Sequence, residues 1–204
     1  MNTLNVQLKN EIIQKLDAHL TTEGFKFNKR SQEWSKAISD FEKIKIHLNF
    51  GKIIINPSVW YYSDRLDVLW RDSGLFPSDS VSELAQFGQM LTALSGRIYN
   101  GDTPKISEDI YSDIRQRGFP YFERLRDFGQ VAILLESTNA KDWPVFTRDR
   151  RAYSLLIMLA ESGQLQKALD LIPSLELGLQ GAASVKPPFA NFVQWFRQKY
   201  KSCG

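Results

Sequence analysis

Lys43-Ile44-Lys45-Ile46-His47-Leu48-Asn49-Phe50 sets Ile44, Ile46, Leu48 and Phe50 on one side of the chain and Lys43, Lys45, His47 and Asn49 on the other. Alternation with period two is the signature of an extended strand, whose successive side chains point to opposite faces. One apolar and one wet face call for an antiparallel sheet that is covered on a single side. Gly51-Lys52 can turn the chain, and Ile53 to Tyr62 reads as the next strand, interrupted or bulged near Asn56-Pro57 because proline donates no ladder hydrogen bond. From Val59 to Tyr62 large side chains fall on both faces, so a helix covers one and something else must cover the other.

Upstream, Phe25-Lys26-Phe27 and the residues around Trp34 alternate in the same way and read as short strands. Before them, Leu8, Ile12, Leu16 and Leu20 recur at four-residue steps with Ile13 beside them, one stripe of an amphipathic helix that Gly24 can end. Downstream the pattern turns helical. Ser63 can cap a helix over Asp64 to Trp70, Leu75 to Asp79 reads as a loop, and Leu84, Phe87, Leu91 and Leu94 have helical spacing within Ser80 to Ser95. Asn100-Gly101 is a turn signal. Ser107 is the expected cap of a helix through Ile110 and Ile114, with Gly118 as its stop. Asp127 and Gln130 have capping-box spacing, and Asp142-Trp143-Pro144 ends the helix they begin.

Arg150 to Ser162 and Gln164 to Ile172, with Gly163 between them, read as a helical hairpin whose Ala152, Ala160 and Ala168 allow close approach. The pattern resembles one tetratricopeptide unit, but a solenoid needs about three or more. Gly178 to Pro188 is a linker, and Phe189, Phe192, Val193, Phe196 and Tyr200 form the stripe of a last helix. The fold expected is α+β: an N-terminal helix packed on a small antiparallel sheet of about four strands, followed by a mostly helical C-terminal half. Residues 1–137 form the α+β part, and residues 138–204 form a hairpin and terminal helix docked on it as one unit.

Composition narrows the function. The chain has 204 residues, 43% hydrophobic and 24% charged, an ordinary globular balance. The formal charge of +3 is mild, and Lys and Arg alternate with Asp and Glu along most of the length, so nucleic acid is not an expected partner. Its best case is Trp195 and Tyr200 among the tail residues Arg197, Lys199 and Lys201, a helical stripe that reads more simply as core. Asp64, Asp67, Asp72, Asp79 and Glu83 make one acidic stretch, opposed by Arg65 and Arg71. The single cysteine, Cys203, has no partner for an internal disulfide, which fits a reducing compartment. Met1 to Leu8 lack a basic segment followed by an apolar one, and no run approaches the roughly 18 apolar residues of a membrane span. A cytoplasmic location away from membranes is expected.

No phosphate loop, dinucleotide fingerprint or nucleophile elbow is present. With His19, His47 and one terminal cysteine, a zinc site of the usual ligands is hard to assemble, and no metal or cofactor is expected. Carboxylate pairs such as Glu108/Asp109 and Asp64/Asp67 fall in first turns of expected helices, where they favour the helix dipole. No catalytic residue is therefore assigned, and the chain is read as a non-enzyme.

Leu20 to Phe27, the Trp34 strand, Leu48-Asn49-Phe50-Gly51, Asp64-Arg65-Leu66-Asp67 and Gly118-Phe119-Pro120-Tyr121-Phe122-Glu123-Arg124 follow one another in an order ending at the Asp127 helix. Together they resemble the bacterial domain-of-unknown-function family 4304, over roughly residues 5 to 137, with the hairpin as a common extension. That family carries no established catalytic residues, so none is transferred. The resemblance implies an immunity or inhibitor protein that neutralises a bacterial toxin by direct binding.

Two readings follow. In the first, Trp60, Tyr61, Tyr62 and Trp70 anchor a protein partner, with a cognate toxin suspected, and Asp64 and Asp67 supply charge. Core packing explains the same aromatic residues more readily. A basic pI of about 8.9 argues against a blocker of basic nucleases. In the second reading, an enzyme or small-ligand-binding domain uses the wet strand face at Lys43, Lys45, His47 and Asn49.

Overall fold

A computed structural model describes residues 6–51, 55–74, 87–91, 102–145, 147–179 and 189–201. The expectations for 75–79, for the turn at Asn100-Gly101 and for most of the 178–188 linker lie outside these residues. The chain divides into two compact units, each made of two stretches: Met1–Ser63 with Phe87–Glu123, and Asp64–Gln86 with Arg124–Gly204. The α+β class is as the alternation indicates.

In the first unit, α1 (Val6–Thr22) buries Ile12, Leu16 and Leu20, three turns of one stripe, each contributing about 2 kcal/mol of apolar burial. Gly24, at φ +86°, takes the left-handed conformation that ends the helix. Four strands then run in order: β1 (Lys26–Asn28), β2 (Glu33–Ser39), β3 (Glu42–Phe50) and β4 (Ile55–Ser63). A fifth, β5 (Phe87–Met90), adds to β4, giving a wholly antiparallel meander β1-β2-β3-β4-β5. The Trp34 indole donates to Asp17 Oδ1 at 2.9 Å and so ties β2 to α1.

The register settles which residues share a face. Trp34, Ile46 and Val59 lie in one row across β2 to β4, and Ile44, Tyr61 and Phe87 in the next across β3 to β5; Trp34, Ile46, Val59, Tyr61 and Phe87 are all fully buried. Pro57 does not bulge β4: Leu48 pairs with it in an unbroken register. In an extended strand a residue's N–H and C=O point to the same side. The Pro57 carbonyl accepts from Leu91 N at 2.9 Å, so the missing donor points toward the β5 side and costs the β3–β4 ladder nothing.

Three helical expectations need correction. Within Ser80 to Ser95, the described residues 87–90 are strand: pairing with the open edge of β4 outweighs a helical spacing that Gly88 already weakened. Ser107 lies inside α3 (Thr103–Asp113), donating to Thr103 O; the cap is Asp102, whose carboxylate accepts from Lys105 N, with Pro104 in the first turn. Gly118 does not stop that helix. It closes a π-helical segment, Ile114–Gly118, which runs on into α4 (Phe119–Arg126). A Cβ at Gly118 would stand 3.2 Å from Val59 Cγ1, so this glycine serves close packing on the sheet.

The second unit is helical. Its described elements are α2 (Asp64–Asp72), α5 (Phe128–Glu136), a 3-10 turn (Ala140–Asp142), α6 (Arg148–Glu161), α7 (Leu165–Leu179) and α8 (Phe189–Tyr200). Asp127 caps α5 by accepting from Gln130 N, as its spacing indicates, but the helix ends at Glu136 with Ser137 as its C-cap, short of the break expected at Asp142-Trp143-Pro144. Eight consecutive residues of α6, Ala152 to Leu159, are buried, which marks it as the central helix, packed against α5, α7 and α8. The α6–α7 hairpin turns at Gly163 (φ +80°), and α8 inserts Phe189, Phe192 and Phe196, the first two with their rings on Tyr153.

Candidate functional site

The sheet of the first unit has a second face. Because the β3–β4 register pairs Lys43 with Tyr62, Lys45 with Trp60, His47 with Ser58 and Asn49 with Asn56, these side chains form a continuous polar surface. It therefore brings together the four residues of the ligand-face reading and two of the aromatics of the partner reading. Across β2, Ser35 pairs with Lys45 and Glu33 with His47. Lys45 Nζ lies 2.6 Å from Glu33 Oε1 and 4.8 Å from the centre of the Tyr62 ring, with Lys43 Nζ at 5.9 Å from the same ring. Two ammonium groups thus lie within reach of one aromatic ring, an attraction to its quadrupole worth about 0.5–1 kcal/mol each.

Trp60 is held from two sides. Its indole rests on the backbone of Gly88, the β5 residue paired with it, where a side chain would collide with the ring. Its Nε1 donates to Ser58 Oγ at 2.9 Å. That buried hydroxyl also accepts from Asn49 Nδ2 and donates to His47 O, both at 3.3 Å, so its hydrogen-bonding capacity is used within the sheet. Ser58 is a hinge-pin for Trp60 and Asn49, with its proton directed at a carbonyl. The outcome is a half-buried indole in a fixed orientation beside a half-buried phenol ringed by lysines.

The remaining sequence-derived candidates lie elsewhere. Tyr61 points to the opposite face, fully buried, and donates its hydroxyl to Glu42. Trp70 is 1% exposed on the inner side of α2. Asp67 pairs with Arg71 at 2.7 Å, one turn along the same helix, while Asp64 is exposed in its first turn. These three belong to the helical unit. His19 stacks on Tyr111, centroids 4.6 Å apart, and Tyr111 donates to Glu23 at 2.6 Å; that hydrogen bond holds the phenol pKa above its ordinary value. Trp195 and Tyr200, the aromatics of a nucleic-acid reading, lean on Phe192 and Phe196.

Sequence reasoning missed Glu33, Ser58 and Gly88. Glu33 was hidden because its role depends on a cross-strand diagonal to Lys45. Gly88 carried a signal: an isolated glycine flanked by large apolar residues often marks close approach of another group to the backbone.

Comparison with family models, with curated proteins and with solved structures gave no match to the chain. No described helix is long and apolar enough to cross a membrane. Among the described residues, no three His, Cys, Asp or Glu side chains gather as a metal site. What fold and site define is an α+β protein with an aromatic, lysine-bearing sheet face.

Proposed function

We propose that this chain is a non-catalytic binding protein that receives an acidic surface of a protein partner on the polar face of its sheet, and that it acts in the cytoplasm as an immunity-type inhibitor of a bacterial toxin. The observation that carries the reading is the fixed Trp60 indole beside Tyr62, Lys43 and Lys45. Aromatic side chains dominate binding hot spots, and holding them in place before the partner arrives lowers the entropy lost on binding. The charge argues for the partner's sign. Lys43, Lys45 and His47 lie on the polar side of β3; Lys45 is ion-paired with Glu33, but two lysines against one carboxylate leave this face cationic, so a carboxylate-bearing surface is complementary. This moves the electrostatic role from the acidic Asp64 and Asp67 to the lysines. The order of motifs that resembles family 4304 supports the inhibitor class.

A small anionic ligand is the second reading of the same lysines, favoured by the row Lys43, Lys45, His47 and Asn49 on one strand face. Capture from a lysate of the chain's own cells, followed by co-expression, separates the two. The inhibitor reading expects one stoichiometric protein whose toxicity on expression is relieved by the chain and not by its Trp60→Ala, Lys43→Glu variant. A partner whose toxicity is untouched by the chain would contradict the reading.

A further inference from the structure

The helical unit carries a second surface, unrelated to the sheet face. Along α7, Leu165, Leu169, Ile172 and Glu176 recur at helical spacing and line one side of an open groove. Its other side is α8 with the residue that follows it. Leu165 and Leu169 share a cavity of about 330 Å³ with Tyr200, while Ile172 and Glu176 share an adjoining cavity of about 470 Å³ with Ala190 and Val193. The two helices therefore run antiparallel, and the cavities are successive parts of one groove. From Leu165 to Glu176 it extends about 16 Å, three helical turns. Leu165, Leu169, Val193 and Tyr200 are only half-buried and open to an occupant; the groove is mainly apolar at its Leu165 end, while Gln194 and Gln198 join Glu176 in the larger cavity and make that end mixed.

Arg197 and Lys201 line both cavities. Lys199, between them in sequence, is ion-paired with Asp72 at 3.2 Å, but neither Arg197 nor Lys201 has an acidic partner among the described residues. The lining thus contains two cations without an acidic partner among the described residues and one carboxylate, Glu176, which shares the larger cavity with both, so the groove keeps a positive balance.

We infer that this groove docks an amphipathic, acid-flanked helix of a partner protein. An apolar trough between two helices accepts a third helix through anchors at i, i+4 and i+7. A groove three turns long matches such a stripe, and its unpaired cations select carboxylates on the flank of the incoming helix.

The test uses the full chain and two fluorescent peptides of about 16 residues, with leucines at i, i+4, i+7 and i+11 and either Glu or Lys at the flanks. Anisotropy at low salt should show the Glu-flanked peptide bound more tightly. In the Arg197→Glu, Lys201→Glu variant its affinity should fall about tenfold or more while the Lys-flanked peptide gains. Both residues are exposed, so an unchanged melting temperature is expected and keeps the comparison clean. Four results would overturn the proposal: equal affinity for both peptides, no binding of the Glu-flanked one, concentration-dependent dimers abolished by the variant, or adsorption to phosphatidylglycerol vesicles abolished by it. The third would assign the groove to a second copy of the chain and the fourth to a lipid surface.

Discussion

Gly88 lies so close beneath Trp60 that a side-chain carbon at this glycine would stand 2.7 Å from the indole Cδ2. The contact links the last strand of the sheet to the orientation of the ring that the proposed function depends on. Gly88→Ala should therefore lower stability by about 1–3 kcal/mol, the range for overpacking, and weaken partner binding as the ring is displaced. In a Trp60→Ala background the same substitution should cost far less. Denaturant unfolding of the four variants gives the coupling directly, and additive losses would show that the two residues do not constrain each other.

Adjacent aromatic residues of β4 should behave in opposite ways. Tyr61 is fully buried and bonded to Glu42, so Tyr61→Ala should cost about 3–5 kcal/mol, as large core truncations do. Trp60→Ala, on the half-buried face, should cost under about 2 kcal/mol yet carry the binding loss. Thermal melts alongside binding separate the two residues.

Glu161 is the last residue of α6, where the helix dipole disfavours a carboxylate. It is held by the Tyr200 hydroxyl at 2.7 Å and by the Arg65 guanidinium. Tyr200→Phe should cost about 1 kcal/mol, while Arg65→Ala, removing a largely exposed partner, should cost less. The order of the two losses in urea unfolding checks which donor matters more.

Burial pushes the Tyr153 phenol up to about 12, with Asp149 adding to the effect. The unfolded chain releases that proton near pH 10, whereas the folded chain keeps it until about pH 12. Native Tyr153 therefore binds more protons than unfolded Tyr153 in this window, and stability falls as pH rises from 10 to 12. Tyr153→Phe should flatten that fall. Its melting temperature, followed against pH beside the unaltered chain, checks the sign.

How much of this was legible depended on whether a pattern was local. The alternation from Lys43 to Phe50 needs no distant partner to be read, and the same holds for the stripe Phe189, Phe192, Phe196 in α8. Phe87–Met90 was not legible as a strand, because its conformation is decided by an edge of β4 far away in sequence. The π-helical segment before Phe119 was hidden for a related reason: Gly118 reads as a stop, while its reason for being glycine is the neighbouring Val59. For the site, periodicity placed Lys43, Lys45, His47 and Asn49 together but left the faces of Trp60 and Tyr61 open, since four successive large residues carry no alternation. The β3–β4 register resolves them, putting Trp60 with the lysines and Tyr61 in the core.

The central claim is that the sheet face around Trp60 is the binding surface, and titration calorimetry with the captured protein partner tests it most directly. Against the unaltered chain, Trp60→Ala should weaken binding by about 30-fold or more, the loss expected of a hot spot. Lys43→Glu should weaken it further as salt is lowered, and Asp64→Ala should leave it unchanged. Full affinity in both face variants, with loss on Asp64→Ala instead, would contradict the account and return the interface to the acidic helix.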